Sequence, residues 1–189
     1  MSVVTPLPRP QRRIHDDAAS FRQAFRHLAG GVSVITTGHG HDRTGLTATS
    51  VSSLSAEPPT LMFGLNLSAS SFPVLARNRS FGVNFLNAAQ KQVADRFAGR
   101  NGEKGPARYA GADWTSGLTG APLLAGALAA LDCEVEEIIQ RHSHAIIIGR
   151  VREVRLGGND AALVYWRGDY DRLGWMAEEA STALGLRAF

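Results

Sequence analysis

The chain has 189 residues, 44% of them hydrophobic and 20% charged, which suits one globular domain with tails and excludes a disordered or fibrous chain. The formal net charge is +3, and Arg9, Arg12 and Arg13 alone account for it, so the body is electrically balanced and carries no case for a nucleic-acid partner. A single cysteine, Cys133, excludes an internal disulfide framework and a multi-cysteine metal centre. With no apolar run of membrane-span length and no signal-like start, a cytoplasmic protein without a membrane partner is expected.

In chain order, residues 1–15 hold Pro6, Pro8 and Pro10 among the arginines and read as a disordered tail. A helix is expected over 16–29, with Phe21, Phe25 and Leu28 on one face, Asp16, Asp17 or Ser20 as its cap, and Gly30-Gly31 as its stop. Strands are expected over 32–37, 46–54, 61–65, 81–86, 127–139, 145–156 and 163–166, with the last two joined as a hairpin through the Gly157–Asp160 turn. Two short helices interrupt them. One spans 71–78 behind Ser70 or Ser71, and the other spans 88–97 behind Asn87 and stops at Gly99. Residues 99–121 read as a long loop, and 175–184 as a final amphipathic helix. One body over 16–173 and a C-terminal tail over 174–189 follow. Strands dominate without a steady strand–helix alternation, so the expected fold is mainly β, an antiparallel barrel with flanking helices.

The sequence carries no G-x-G-x-x-G, no P-loop, no H-E-x-x-H and no G-x-S-x-G. Two histidine pairs, His39/His41 and His142/His144, share strand faces, but no cluster of further ligands recommends a metal. Cys133 lies in an apolar strand and reads as a buried, inert thiol. The most unusual stretch is 45–66, which packs Thr47, Thr49, Ser50, Ser52, Ser53 and Ser55 ahead of Pro58-Pro59. Small hydroxyl residues leave backbone donors and acceptors open to a flat heterocycle. Asn66, Ser68, Ser70 and Ser71 follow at a helix start, a place that favours an anion. A plain Ser/Thr-rich edge strand with an ordinary cap would have the same composition.

Eight segments in order resolve that choice. They are FRQAFRHLAGGVSVITT (21–37), GLTATSVSSLSAEPP (45–59), SFGVNFLNAAQ (80–90), the Trp114 loop, GAPLL (120–124), LDCEVEE (131–137), HSHAIIIGRV (142–151) and LVYWRGDY (163–170). Together they resemble the flavin reductase family, whose fold is the FMN-binding split β-barrel of Greek-key type. Many of its members are reductase components of two-component flavin-dependent monooxygenases. The resemblance implies an NAD(P)H:flavin oxidoreductase that moves hydride from NADH or NADPH to FMN or FAD, with no protein acid or base strictly required. It implies that Thr47, Ala48, Thr49, Ser50 and Val51 line the flavin ring. Ser52, Ser53, Asn66, Ser68 and Ser71 would hold the ribityl chain and phosphate, and Ala88 or Ala89 would lie close by. His144 would sit at the nicotinamide site, bordered by Tyr170 in preference to Tyr165. It further implies a homodimer that hands reduced flavin to a monooxygenase partner. Phe97 and Trp114 read as packing or dimer-contact residues. The alternative on the same barrel is a non-catalytic flavin- or haem-binding protein.

Overall fold

Hydrogen bonding organises the chain into three antiparallel sheets. The computed structural model describes residues 17–174, so the expected N-terminal tail and the helix over 175–184 lie outside the described residues. Helix α1 (Ala18–Phe25) opens behind Asp17, whose carboxylate accepts from the amides of Ala19 and Ser20 at 2.8 Å. Then come β1 (Gly30–Gly31), β2 (Ser33–Thr37), β3 (Thr44–Ala48), β4 (Ser52–Ala56), β5 (Pro59–Asn66), α2 (Ser71–Asn78) and β6 (Ser80–Phe85). Helix α3 (Lys91–Phe97) follows a 3-10 turn over Ala88–Gln90, where Asn87 and Gln90 form a capping box. The remaining strands are β7 (Trp114–Ser116), β8 (Pro122–Leu124), β9 (Ala129–Arg141), β10 (His144–Leu156), β11 (Ala162–Trp166) and β12 (Asp169–Leu173).

The main sheet has seven strands in the order β3-β2-β6-β9-β10-β5-β4. Its two edge strands, β3 and β4, are consecutive in sequence and joined only by residues 49–51. Laid flat, seven strands would put those edges about 29 Å apart. The link spans at most about 14 Å. The sheet is therefore curled until its edges nearly meet, and the unpaired seam between them makes the barrel split.

Leu61, Phe63, Leu65, Phe81, Val83 and Ile147 fill the barrel. A second cluster, with Val32, Val34, Leu86, Phe97, Tyr109 and Leu163, packs α3 onto the barrel's outside. Strand β2 is buried along its whole length because it faces both clusters. Gly45 makes the second packing possible, since a Cβ there would lie 2.7 Å from the Phe97 ring.

Several expectations are corrected. The strand expected over 46–54 is two strands, β3 and β4, which the link sends to opposite edges of the sheet. The hairpin expected between 145–156 and 163–166 does not form. Strand β10 pairs with β9 and β5, while β11 crosses to a separate sheet with β1 and β12. There the Val32 amide donates to the Leu163 carbonyl, so the crossing takes up polar groups that the main sheet leaves over. The long loop over 99–121 contains a 3-10 segment, Gly105–Tyr109, and strand β7, which pairs with β8. Helix α1 is shorter than 16–29, and none of its residues is buried.

Candidate active site

The link at the seam is the natural starting point. Among the described residues, Thr49, Ser50 and Val51 have no backbone hydrogen-bond partner, because the β2–β3 ladder ends at Ala48 and the β4–β5 ladder begins at Ser52. Thr49 and Ser50 are exposed, and Val51 packs its side chain against the barrel core. The link is held in place from both sides. Thr47 donates its hydroxyl to the Ala94 carbonyl of α3 at 2.6 Å, and Ala48 is buried in the core. On the other side the Ser50 hydroxyl accepts from the Gly64 amide at 3.1 Å, continuing the β4–β5 pairing with a side chain. Gly30 lets β1 come close, since a Cβ there would lie 3.0 Å from Thr49 Cβ.

Ser52 and Ser53 stand exposed on edge strand β4. Asn66 ends β5, where its Oδ1 accepts from the Ser68 amide at 2.9 Å and hydroxyl at 2.8 Å. His144 lies directly opposite Asn66 in the β5–β10 register, and its Nδ1 sits 2.9 Å from the Ser143 hydroxyl. Strand alternation places Ser50 and His144 about 12 Å apart on one outward face. Ser71, in the first turn of α2, is buried with a hydroxyl that has no partner among the described residues. The structure thus gathers 49–53, Asn66, Ser68 and His144 around one end of β4, β5 and β10.

Ala88, Ala89 and Tyr170 form a second group at the start of α3. The Ala88 amide donates to the Ala161 carbonyl at 2.8 Å. The Tyr170 ring lies under Lys91 Nζ (5.8 Å) and the Arg100 guanidinium (4.8 Å), and burial raises its phenol above the ordinary value. Tyr165, rather than Tyr170, lines the cleft that opens beside Thr49 and Ser50. That cleft, about 1120 Å³, runs between the link, the β11–β12 turn and α1, and Phe21, Phe25, Arg22 and Arg26 form its far wall. Phe21 and Phe25 were legible as part of a helical stripe, but an amphipathic pattern does not say what covers it. Phe97 and Trp114 are packing residues, with ring centroids 5.5 Å apart. Cys133 is fully buried, and burial pushes its thiol well above the ordinary range. No group of three or more His, Cys, Asp or Glu able to hold a metal occurs among the described residues.

The residues around the seam fit a flavin. Bare amides and carbonyls in series match the alternating acceptors and donors along the polar edge of its ring, and small side chains leave the approach open. The unpartnered Ser71 hydroxyl supplies a polar group at the start of α2, where a phosphate gains from the helix end.

Residues 25–174 match the flavin reductase like domain family. The chain belongs to the flavin reductase family. It is 38% identical over 153 residues to the FMN reductase (NADH) RutF of Stutzerimonas stutzeri, covering 81% of this chain and 87% of that one. Among solved structures, this flavin reductase is similar to BorF, the flavin reductase component of a bacterial two-component tryptophan halogenase. The TM-score there is 0.77 at 34% identity, covering 83% of this chain and 98% of that one. It is also similar to the Streptomyces globisporus NADH:FAD oxidoreductase SgcE6, with a TM-score of 0.78 at 28% identity, covering 88% and 99% of the two chains. The antiparallel split barrel expected from the sequence is the architecture observed.

Proposed function

We propose that this chain reduces flavin with NADH, and that it supplies the reduced flavin to a separate monooxygenase. The observation that carries the reading is the seam of the barrel, where consecutive edge strands leave the 49–51 link without backbone partners among the described residues, beside a large cleft. The family membership, the FMN reductase (NADH) relative and the reductase component of a two-component system support the same activity.

When bound, the flavin accepts hydride from the nicotinamide, and that chemistry is the cofactor's own. The chain's task is to bind and orient. The Thr49–Val51 backbone meets the polar edge of the ring, with Thr47 and Ala48 acting through the backbone because their side chains are committed elsewhere. Ser52, Ser53, Asn66, Ser68 and Ser71 take the ribityl chain and phosphate. Ala88 and Ala89 leave room near the ring, and His144, exposed at the start of β10, places the nicotinamide. Tyr170 borders the site from the α3 side. No general acid or base is needed, in keeping with a site built of hydroxyls and amides. FAD as an alternative flavin, NADPH as an alternative donor and a cytoplasmic location belong to the same reading. The working unit is 16–173, flanked by the tails at 1–15 and 174–189.

A homodimer completes the proposal. Met62, Ile146 and Ile148 point away from the barrel core, because Leu61, Phe63, Ala145 and Ile147 between them point in. Ile146 is 39% exposed and Leu54 on edge strand β4 is 51% exposed. A second copy laid on this outward face would cover it and bring the Asn66–His144 corner to the interface. The haem alternative gains no support from the histidines, since all those among the described residues are exposed.

The test mixes purified protein, NADH and excess FMN and follows the nicotinamide absorbance. Flavin-dependent NADH loss is expected. No loss with FMN or FAD, using NADH or NADPH, contradicts the reading. A haem band in the purified protein would favour the alternative.

A further inference from the structure

The seam has two lips, β3 and β4, and they are held differently. Strand β4 is exposed along its whole length, and a register shift between Ser53 and Ser55 interrupts its pairing with β5. Strand β3 is an edge too, with β2 as its neighbour, yet Thr44, Gly45 and Ala48 on it are buried. What covers its outer side is not another strand. It is the 3-10 segment Gly105–Tyr109, with α3 beside it.

That segment works through two side chains. The Tyr109 hydroxyl donates to the Thr44 carbonyl at 2.6 Å, and Arg108 Nη1 donates to the Gly45 carbonyl. Consecutive carbonyls of the edge strand thus accept from side chains. Both donors are aimed by their own neighbours. The Tyr109 ring is set by Phe97 at 5.0 Å, Trp114 at 4.8 Å and the Arg43 guanidinium at 4.5 Å. Burial raises its phenol above the ordinary value, so it stays protonated and donating. Arg108 Nε donates to the Glu103 carbonyl at 3.1 Å, and the Glu103 carboxylate pairs in turn with Arg96 of α3 at 3.5 Å. Further along β3 the Thr47 hydroxyl reaches the Ala94 carbonyl, so the strand is pinned at 44, 45 and 47, just before the link begins.

We infer that Arg108 and Tyr109 are positioning residues for the flavin: they fix the β3 lip, and through it set where the 49–51 link presents its amides and carbonyls. The link is short, so a shift of β3 passes into it with little slack. The β4 lip, bare and bulged, does not set that position. An edge strand whose carbonyls were left to water would be free to drift or to pair across the seam, and either would spoil the row of groups that meets the ring. Arg108 suits this task because its rigid fork bridges the Gly45 and Glu103 carbonyls at once, which a lysine ammonium on a flexible stem does not reproduce. Neither residue lines the cleft, so neither acts on the ligand directly. The inference rests on the flavin reading of the seam for its ligand, and on the β3 clasp alone for its residues.

The test uses the full chain and three kinds of variant. Tyr109→Phe removes one hydroxyl and keeps the ring, and Arg108→Met and Arg108→Lys remove or blunt the fork. Thr119→Val is the control, since it breaks a hydroxyl bond to Asp132 on a different loop. FMN titration followed by flavin fluorescence gives the affinity. Tyr109→Phe should weaken FMN about five-fold, the effect of one lost hydrogen bond, and Arg108→Met about ten-fold or more. Arg108→Lys should recover little of that loss. In steady-state kinetics the KM for FMN should rise in step, while kcat at saturating FMN and the KM for NADH stay within about two-fold of wild type. Thr119→Val should lower the denaturation midpoint and leave FMN affinity unchanged, which separates positioning from stability. FMN affinity within about two-fold of wild type in both Tyr109→Phe and Arg108→Met overturns the inference. So does a Thr119→Val protein that loses as much FMN affinity as Tyr109→Phe. Wild-type protein that binds FMN but oxidises no NADH overturns the reductase reading, and the FMN affinities of the variants still decide the clasp.

Discussion

Helices α1 and α3 both flank the seam, yet they are held in opposite ways. Helix α3 buries Val93, Ala94 and Phe97, and its Phe97 ring meets Tyr109 at 5.0 Å and Trp114 at 5.5 Å. Helix α1 buries nothing and is clasped at its C-terminal end by the exchange between Arg26 and Arg167 and by the Trp166 indole, which donates to the His27 carbonyl at 3.3 Å. One helix is thus part of the core, and the other presents apolar side chains that no described residue buries. The difference separates residues that fix β3, and through it the link, from residues available to a ligand.

Substitutions on the two helices should break that symmetry sharply. Phe97→Ala should cost about 3–5 kcal/mol of stability, because it empties a fully buried ring site under β3; a denaturant titration measures it. A loss under 1 kcal/mol would mean that α3 does not anchor the seam. Thr47→Val removes the hydroxyl that ties β3 to the Ala94 carbonyl, which then keeps only its helical bond from the Ala98 amide. A loss of about 1 kcal/mol is expected by the same titration. Phe25→Ala on the open helix should change stability by less than about 0.5 kcal/mol.

The same contrast explains what was legible in the sequence. The stripe Phe21, Phe25, Leu28 correctly announced a helix, but periodicity is blind to what covers the stripe, and here the described chain does not. The run of small hydroxyl residues from Thr47 to Ser53 marked the stretch that holds the seam link. Its interruption at 49–51 was invisible, because the break depends on β3 and β4 joining opposite edges of a seven-stranded sheet, a long-range pairing that no local pattern encodes. The Gly157–Asp160 turn was read as a hairpin for a similar reason, since turn chemistry reports a reversal and not the partner strand. The resemblance favoured Tyr170 over Tyr165, but the Gly30–Tyr165 register brings Tyr165 to the cleft. The Asn66–His144 pairing needed the fold as well, for 78 positions separate the two in sequence and the β5–β10 ladder joins them.

The account turns on the unpaired link, and hydrogen exchange reads it directly. Without ligand, the amides of Thr49, Ser50 and Val51 should exchange quickly while those of β2 are protected, because the link has no backbone partners among the described residues and β2 is paired on both sides. Adding FMN should slow exchange at 49–53 and at 66–71 and leave β7 and β8 unchanged. Unaltered exchange across 49–53 with FMN bound, or protection confined to some other surface, would contradict the placement of the flavin at the seam.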